Sequence, residues 1–186
     1  MDEKISTLTP VSPAKSALPY GVIFGAIMVL EFVIMQALKP DPKEFGWIGI
    51  VTNLLNFIVL PTLFIALACV NFKNKLNGGY ITLSQSLKIG VTASAIAGLV
   101  YAIFYFIYYL MFPEFIAETI EQMKIITIQQ NPTMPAEQLE MTLMFMEKTM
   151  MPYYAGPISI LMYTFIGLII SLIVGAIVKK ENPGAF

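Results

Sequence analysis

The sequence predicts an all-α integral membrane protein with four transmembrane helices and an extramembrane amphipathic helical hairpin between the third and the fourth. Two observations indicate this fold class. The 186 residues are 57% hydrophobic and only 12% charged, whereas soluble domains carry about 25% charged residues. In addition, four stretches are long and apolar enough to cross the hydrocarbon core of a bilayer, which takes about 20 residues.

The four predicted spans contain a single charged residue, Glu31. They are Leu18–Leu38, Gly46–Val70, Ile89–Phe112 and Ile158–Val178. Buried helices of a soluble protein would need polar faces at helical spacing, which these segments lack. We therefore expect one membrane domain over 18–180, with a flexible tail at 1–17 and a short tail at 181–186. Pro61 predicts a kink in the second span.

The distribution of lysines predicts the orientation in the membrane. Seven of the eleven lysines lie in the N-terminal tail, in the loop 71–88 and after the fourth span, and four lie in 39–45 and 113–157. An excess of lysine marks the cytoplasmic side. We therefore expect a multi-pass protein of the bacterial inner membrane with both termini in the cytoplasm.

The segment 113–152 predicts the outer hairpin. Apolar residues recur at helical spacing in two arms, and the run 131–135, Asn-Pro-Thr-Met-Pro, separates them. Pro152 is expected to end the second arm. The first arm repeats Phe115, Ile116, Ile120, Met123 and Ile126, and the second repeats Leu139, Leu143, Met146 and Met150.

Several local motifs resemble a known bacterial membrane family, called domain of unknown function 4199. The motifs are Asn77-Gly78-Gly79-Tyr80-Ile81, Ser84-Gln85-Ser86-Leu87-Lys88-Ile89-Gly90, Phe112-Pro113-Glu114-Phe115-Ile116, Met134-Pro135-Ala136-Glu137-Gln138, and Ile169-Ile170-Ser171-Leu172-Ile173-Val174 before Lys179-Lys180. The resemblance covers Tyr20 to Lys180. It implies four spans with an outer helical insertion between the third and the fourth, and it implies no activity.

Small residues spaced four apart predict where the spans pack closely. Helices in lipid approach each other through such residues, and three spans carry them in the half expected to lie nearest the cytoplasm. They are Gly21 and Gly25 in the first span, Gly90, Ser94 and Gly98 in the third, and Gly167, Ser171 and Gly175 in the fourth. We expect a tight three-helix contact at that depth.

Glu31 is the candidate functional residue, because an ionisable side chain within a membrane span is costly and is by default a functional hypothesis. Counting from the span ends places Asn53, and one turn on Asn56, at a similar depth in the second span. Tyr105 and Tyr163 fall within about one turn of it and complete a predicted intramembrane polar cluster. The cluster predicts either a site for a proton or a cation, or a structural hydrogen bond between two helices.

Composition excludes most catalytic and cofactor chemistry. The chain has no histidine and one cysteine, so it has no catalytic triad and no cysteine cluster for a metal. Six methionines lie between Met134 and Met151, but they do not share one helix face, and we expect them to pack rather than to bind metal. We expect no catalytic residues and no cofactor. The net charge of −1 and the absence of arginine also exclude a nucleic-acid partner.

Two functions remain open. The first is a non-enzymatic interaction or accessory protein, whose hairpin docks a protein partner or a second copy of the chain. The alternative is a small transporter that handles a proton or a cation through Glu31.

Overall fold

The computed structural model describes residues 11–40 and 46–182. This part of the chain consists of helices, the short turns and loops between them, and one isolated antiparallel bridge between Ile81 and Lys180. Four of its helices are long and apolar enough to cross a membrane, as predicted. In chain order the helices are α1 (Pro13–Leu38), α2 (Gly46–Leu76), α3 (Leu83–Met111), α4 (Phe115–Gln130), α5 (Ala136–Met150) and α6 (Pro152–Val178).

The long helices extend beyond the predicted spans, because local capping signals and not hydropathy set their ends. α1 begins at Pro13, since proline suits the first turn of a helix. α3 begins after Thr82, which forms a capping box with Gln85. The predicted flexible tail therefore loses 13–17 to α1, and its residues 1–10 lie outside the described part of the chain.

Pro152 follows the last residues of the second hairpin arm, as predicted, and it also opens α6. It occupies the first turn of α6, where its missing N–H costs no hydrogen bond. α5 ends two residues earlier, at Met150.

α2 is interrupted by a π-helical turn at Leu55–Val59, immediately before Pro61. The Leu60 N–H bonds to the Leu55 carbonyl, five residues back. A proline cannot donate to the carbonyl four residues before it and its ring crowds that carbonyl, so the wider turn accommodates Pro61. The structure thus places an irregularity where the sequence predicts a kink.

α3 lies at the centre of the bundle and packs against α6 on one side and α1 on the other. Gly90 faces Ser171, Gly167 faces Ser94, and Gly175 faces Ser86, so that neither helix presents a bulky side chain between them. On the other side of α3, the backbones at Ala93 and Ala97 lie against the two α1 glycines, Gly21 and Gly25. Gly98 meets the α6 backbone at Ile160.

The end of the bundle at which α1 begins and α6 ends is closed by hydrogen bonds to backbone carbonyls. Ile81 and Lys180 exchange N–H···O bonds of 2.9 Å. The Lys73 ammonium donates to the Val178 carbonyl at 2.8 Å and satisfies the end of α6, where a cation also interacts favourably with the helix dipole. We call this end the termini end, and the opposite end, where α1 ends and α2 begins, the hairpin end.

The hairpin of α4 and α5 is attached to the bundle by aromatic packing around Phe32. The Phe32 ring makes edge contacts with five aromatic rings at centroid distances of 5.0–6.2 Å, one of which belongs to Phe115 of α4. The Tyr105 hydroxyl donates to the Met150 carbonyl at 2.8 Å and holds the end of α5. Both arms are thereby fixed to the long helices.

We expect Gly90→Ala to destabilise the bundle by roughly 1–3 kcal/mol, the range of a small-to-large change in a packed core. The new methyl group would overlap the Ser171 side chain on the facing helix. Gly49→Ala is the matched control, because nothing lies within 4 Å of the methyl group it adds. Unfolding of detergent-solubilised protein by increasing fractions of dodecyl sulfate measures both. An equal loss of stability in Gly90→Ala and Gly49→Ala would contradict this packing.

Candidate functional site

Glu31 is joined to Asn56 of α2 by a side-chain hydrogen bond. The Asn56 amide nitrogen donates to Glu31 Oε2 at 2.7 Å and to the Thr52 carbonyl at 3.1 Å. Asn56 lies in the π-helical turn of α2, a distortion that is frequent at functional sites. Its own Oδ1 is buried and accepts no hydrogen bond. The described charged side chains include no lysine paired with Glu31.

Of the two asparagines in the predicted cluster, Asn56 is the one that donates the hydrogen bond to Glu31. Depth counted on the backbone is misleading here, because helical side chains lean toward the N-terminus of their helix. α1 and α2 run in opposite directions, so Glu31 leans toward the termini end and Asn56 leans back to meet it. Asn53, one turn nearer the hairpin end, is exposed.

The tyrosines divide between this site and the hairpin. Tyr105, predicted for the polar cluster, bonds to Met150 instead. Tyr163 is packed between Phe24 and Phe57, with ring centroids 6.0 and 5.9 Å away, and it lies within electrostatic range of Glu31. Tyr101 has the same relation to Glu31. Sequence reasoning did not assign Tyr101 to the cluster, although its position four residues before Tyr105 puts both on one face of α3.

Ser86 is a packing residue that sequence reasoning also missed. It lies opposite Gly175, and its hydroxyl donates to the Thr82 carbonyl at 3.2 Å. The signal was present, because Ser86 precedes Gly90 by four residues and extends the row of small residues on α3 by one turn. The predicted span began at Ile89 and cut the row short.

A pocket of about 480 Å³ opens at the hairpin end, between the end of α1, the start of α2 and the first arm of the hairpin. It lies one turn from the Glu31–Asn56 bond on both helices, since Met35 follows Glu31 by four residues and Asn53 precedes Asn56 by three, and both line it. Its other polar wall residues are Gln36, Lys39, Glu118, Thr119, Gln122, Gln129 and Gln130.

The pocket exists because the first half of α2 stands apart from the bundle. No residue between Gly46 and Val59 is buried, whereas five are buried between Leu60 and Asn71. The Glu31–Asn56 bond is therefore a principal tie between α1 and this half of α2. An acid–amide pair thus holds the wall of a pocket, an arrangement that can bind a small ligand or exchange a proton.

Lys39 and Glu118 form an ion pair on the wall of this pocket, with Nζ and Oε2 3.0 Å apart and side chains 60% and 55% exposed. The pair joins the end of α1 to the first arm of the hairpin. The hydrogen bond from the Lys39 ammonium to Glu118 raises the pKa of Lys39 above its ordinary value, and the charge of Glu118 acts in the same direction.

The described residues thus form an all-helical structure with four candidate membrane-spanning helices, an acid–amide pair between two of them and a pocket beside that pair. The sequence matches the family described as "Protein of unknown function (DUF4199)" over residues 19–180, and the chain belongs to that family. No curated protein matches it. No solved structure matches it either.

We expect the Lys39–Glu118 pair to stabilise the fold slightly, and only below the pH at which Lys39 loses its proton. A raised pKa means that the contribution is complete below the ordinary value of 10.5 and is lost as the pH rises through the folded-state value. The effect is small because exposed ion pairs contribute little. The difference in Tm between the native chain and Lys39→Gln, measured from pH 8 to pH 12, should vanish at the alkaline end.

Lys124→Gln removes a lysine from the hairpin arm that carries Glu118. It is the control for the general loss of charge. Because the ion pair is exposed, added salt should also reduce the difference in Tm between the native chain and Lys39→Gln. A Tm difference that persists unchanged at the highest pH would contradict the role of this ion pair.

Proposed function

We propose that the chain is a non-enzymatic interaction or accessory protein of the bacterial inner membrane, with both termini in the cytoplasm and the hairpin outside. The excess of lysine in the segments at the termini end supports this orientation. The proposed partner is a protein with a basic and partly apolar surface, which docks on the hairpin.

The observation that carries this proposal is an exposed apolar patch on α5. Met141, Met144 and Phe145 are 58%, 62% and 69% exposed. They are neighbours at spacings of three and four residues on one helix. Bulky side chains exposed together in a segment outside the bilayer are typical of an interaction surface.

A groove of about 370 Å³ adjoins the patch. It runs between the two arms and is lined by Leu139, Leu143 and Met144, and its charged lining residues are Glu140, Glu147 and Lys124 of the first arm. Lys148 is directed toward the Tyr154 ring, 5.7 Å from its centroid. The two lining glutamates therefore outnumber the single lining lysine, Lys124. Six glutamates against two lysines over 113–150 make the whole segment acidic. This charge favours a basic partner and disfavours a second copy of the same acidic surface.

Photo-crosslinking in cells tests this docking. A photoreactive amino acid at position 144 should give one discrete protein adduct, and the substitutions Glu140→Lys and Glu147→Lys should reduce its yield at least about tenfold, as expected when like charges are placed across an interface. A photoreactive residue at Tyr153, which is exposed near the start of α6, is the matched control. The docking would be contradicted if position 144 gave only lipid adducts. It would also be contradicted if the yield of the protein adduct were the same after Glu140→Lys and Glu147→Lys.

A second candidate function is proton or cation handling through Glu31. It is favoured by the position of Glu31 and Asn56, one turn below a pocket that opens at the hairpin end. The pocket would admit water or a cation to the carboxyl group from that side. Four helices alone enclose little room for a pathway to the other side, so this function implies an oligomer.

Flux measurements in proteoliposomes test this second candidate. Purified protein should carry protons or monovalent cations across the vesicle membrane, and Glu31→Gln should abolish the flux because it keeps the hydrogen bond to Asn56 but cannot ionise. Glu114→Gln, which changes an exposed glutamate beside α4, is the control. Absence of flux in the native chain, or flux unaffected by Glu31→Gln, would exclude it.

A further inference from the structure

The hairpin-end pocket carries opposite charges side by side within a largely neutral wall. Among the described lining residues, the charged ones are Lys39 and Glu118, and they are paired with each other. The other polar lining groups are carboxamides and one hydroxyl, which both donate and accept hydrogen bonds. A ligand that fits the described part of this wall has no net charge, and its own anionic and cationic groups lie a few atoms apart.

The ion pair is available to such a ligand because both side chains are more than half exposed. An anionic group can take the place of Glu118 beside the Lys39 ammonium, while a cationic group of the same ligand takes the Glu118 carboxylate. The exchange preserves the number of charge–charge contacts, so it costs little electrostatic energy.

The rest of the wall is apolar and opens between two helices. Ile48, Ile50 and Met35 line the side formed by α1 and α2. Gly46 and Gly49 lie on the same wall, and nothing lies within 4 Å of where a side chain would begin on either. A ligand can therefore pass an alkyl chain through this side, away from the ion pair.

Trp47 places the pocket at the level of lipid headgroups. It is the single tryptophan of the chain, it is 59% exposed, and it lies between two residues that line the pocket, Gly46 and Ile48. Exposed tryptophans of membrane proteins are enriched at the interface between hydrocarbon and water. The adjacent pocket then faces the layer that contains phosphate and ammonium groups.

We propose that the hairpin-end pocket binds a zwitterionic phospholipid of the phosphatidylethanolamine type. Lys39 holds the phosphate, Glu118 holds the ammonium group, and an acyl chain leaves past Gly46 and Gly49. The site lies beside the acid–amide pair and does not depend on either function proposed above.

Lipid retention measured by native mass spectrometry tests the proposal. Delipidated protein is incubated with equal amounts of phosphatidylethanolamine and anionic phosphatidylglycerol, and it should retain the former at least about tenfold better, which corresponds to about 1.4 kcal/mol of binding free energy. Gly49→Leu should abolish this preference by filling the gap, while leaving the ion pair intact. Ile58→Leu, on an exposed face of α2 away from the pocket, is the matched control.

Charge variants test the role of the ion pair. The double variant Lys39→Gln, Glu118→Gln should lose the preference, and the exchanged pair Lys39→Glu, Glu118→Lys should keep it in part, since it still presents both charges. The exchanged pair also shows whether loss of binding reflects only a detached hairpin. An unchanged preference in the double variant would overturn the assignment of the headgroup.

A soluble competitor identifies the source of the zwitterion. Glycerophosphoethanolamine carries the headgroup without acyl chains, and it should displace the lipid only at concentrations at least about a hundredfold higher, because it lacks the buried alkyl chain. Competition at equal concentrations would mean that the pocket takes a soluble zwitterion, and it would overturn the lipid assignment. Equal retention of both phospholipids would overturn it as well.

Discussion

The close approach of the α3 and α6 backbones is the contact on which the other features of this bundle depend. Apolar side chains gain little from leaving lipid for another helix, so helices in a membrane associate through packing and hydrogen bonds. Ser86, Gly90 and Ser94 on α3 meet Gly175, Ser171 and Gly167 on α6. Because the two glycines of α1 use the adjacent face of α3, one helix brings three backbones together near the termini end.

The opposite end is wide because its side chains are large. Above the small residues, α3 continues with Tyr101, Phe104, Tyr105 and Tyr108, and these rings contact Phe32 of α1. The same aromatic cluster receives Phe115 and so positions the hairpin. The first half of α2 is left without buried residues. The pocket and the Glu31–Asn56 bond occupy the space that results. The site therefore follows from the increase in side-chain size along α3, from small residues near the termini end to aromatic residues near the hairpin end.

The sequence predicted the parts of this structure that depend on one helix at a time. Hydropathy located four long helices, and spacing located the small residues on α3 and α6. Contacts between helices were harder, because they depend on where side chains lean and on irregular turns. Counting residues placed Asn53, and one turn on Asn56, near the depth of Glu31, and the tilt of both side chains and the π-helical turn before Pro61 put the contact at Asn56. The pocket was not foreseen, since its walls come from three helices whose relative positions no single segment encodes.

Helix pairing alone does not explain why position 31 is a glutamate. A hydrogen bond between membrane helices contributes about 0.6–2 kcal/mol, whereas a charged side chain near the centre of the bilayer costs about 2.5–3.5 kcal/mol on insertion scales. A glutamine would accept the same hydrogen bond from Asn56. Because glutamine cannot ionise, it would not carry the cost of a charged side chain. The α1 residue that ties α2 to the bundle is thus an ionisable one, and its partner Asn56 lies in a turn of α2 that is already distorted. This cost is the reason for proposing that Glu31 handles a proton or a cation, beside its role in pairing the two helices.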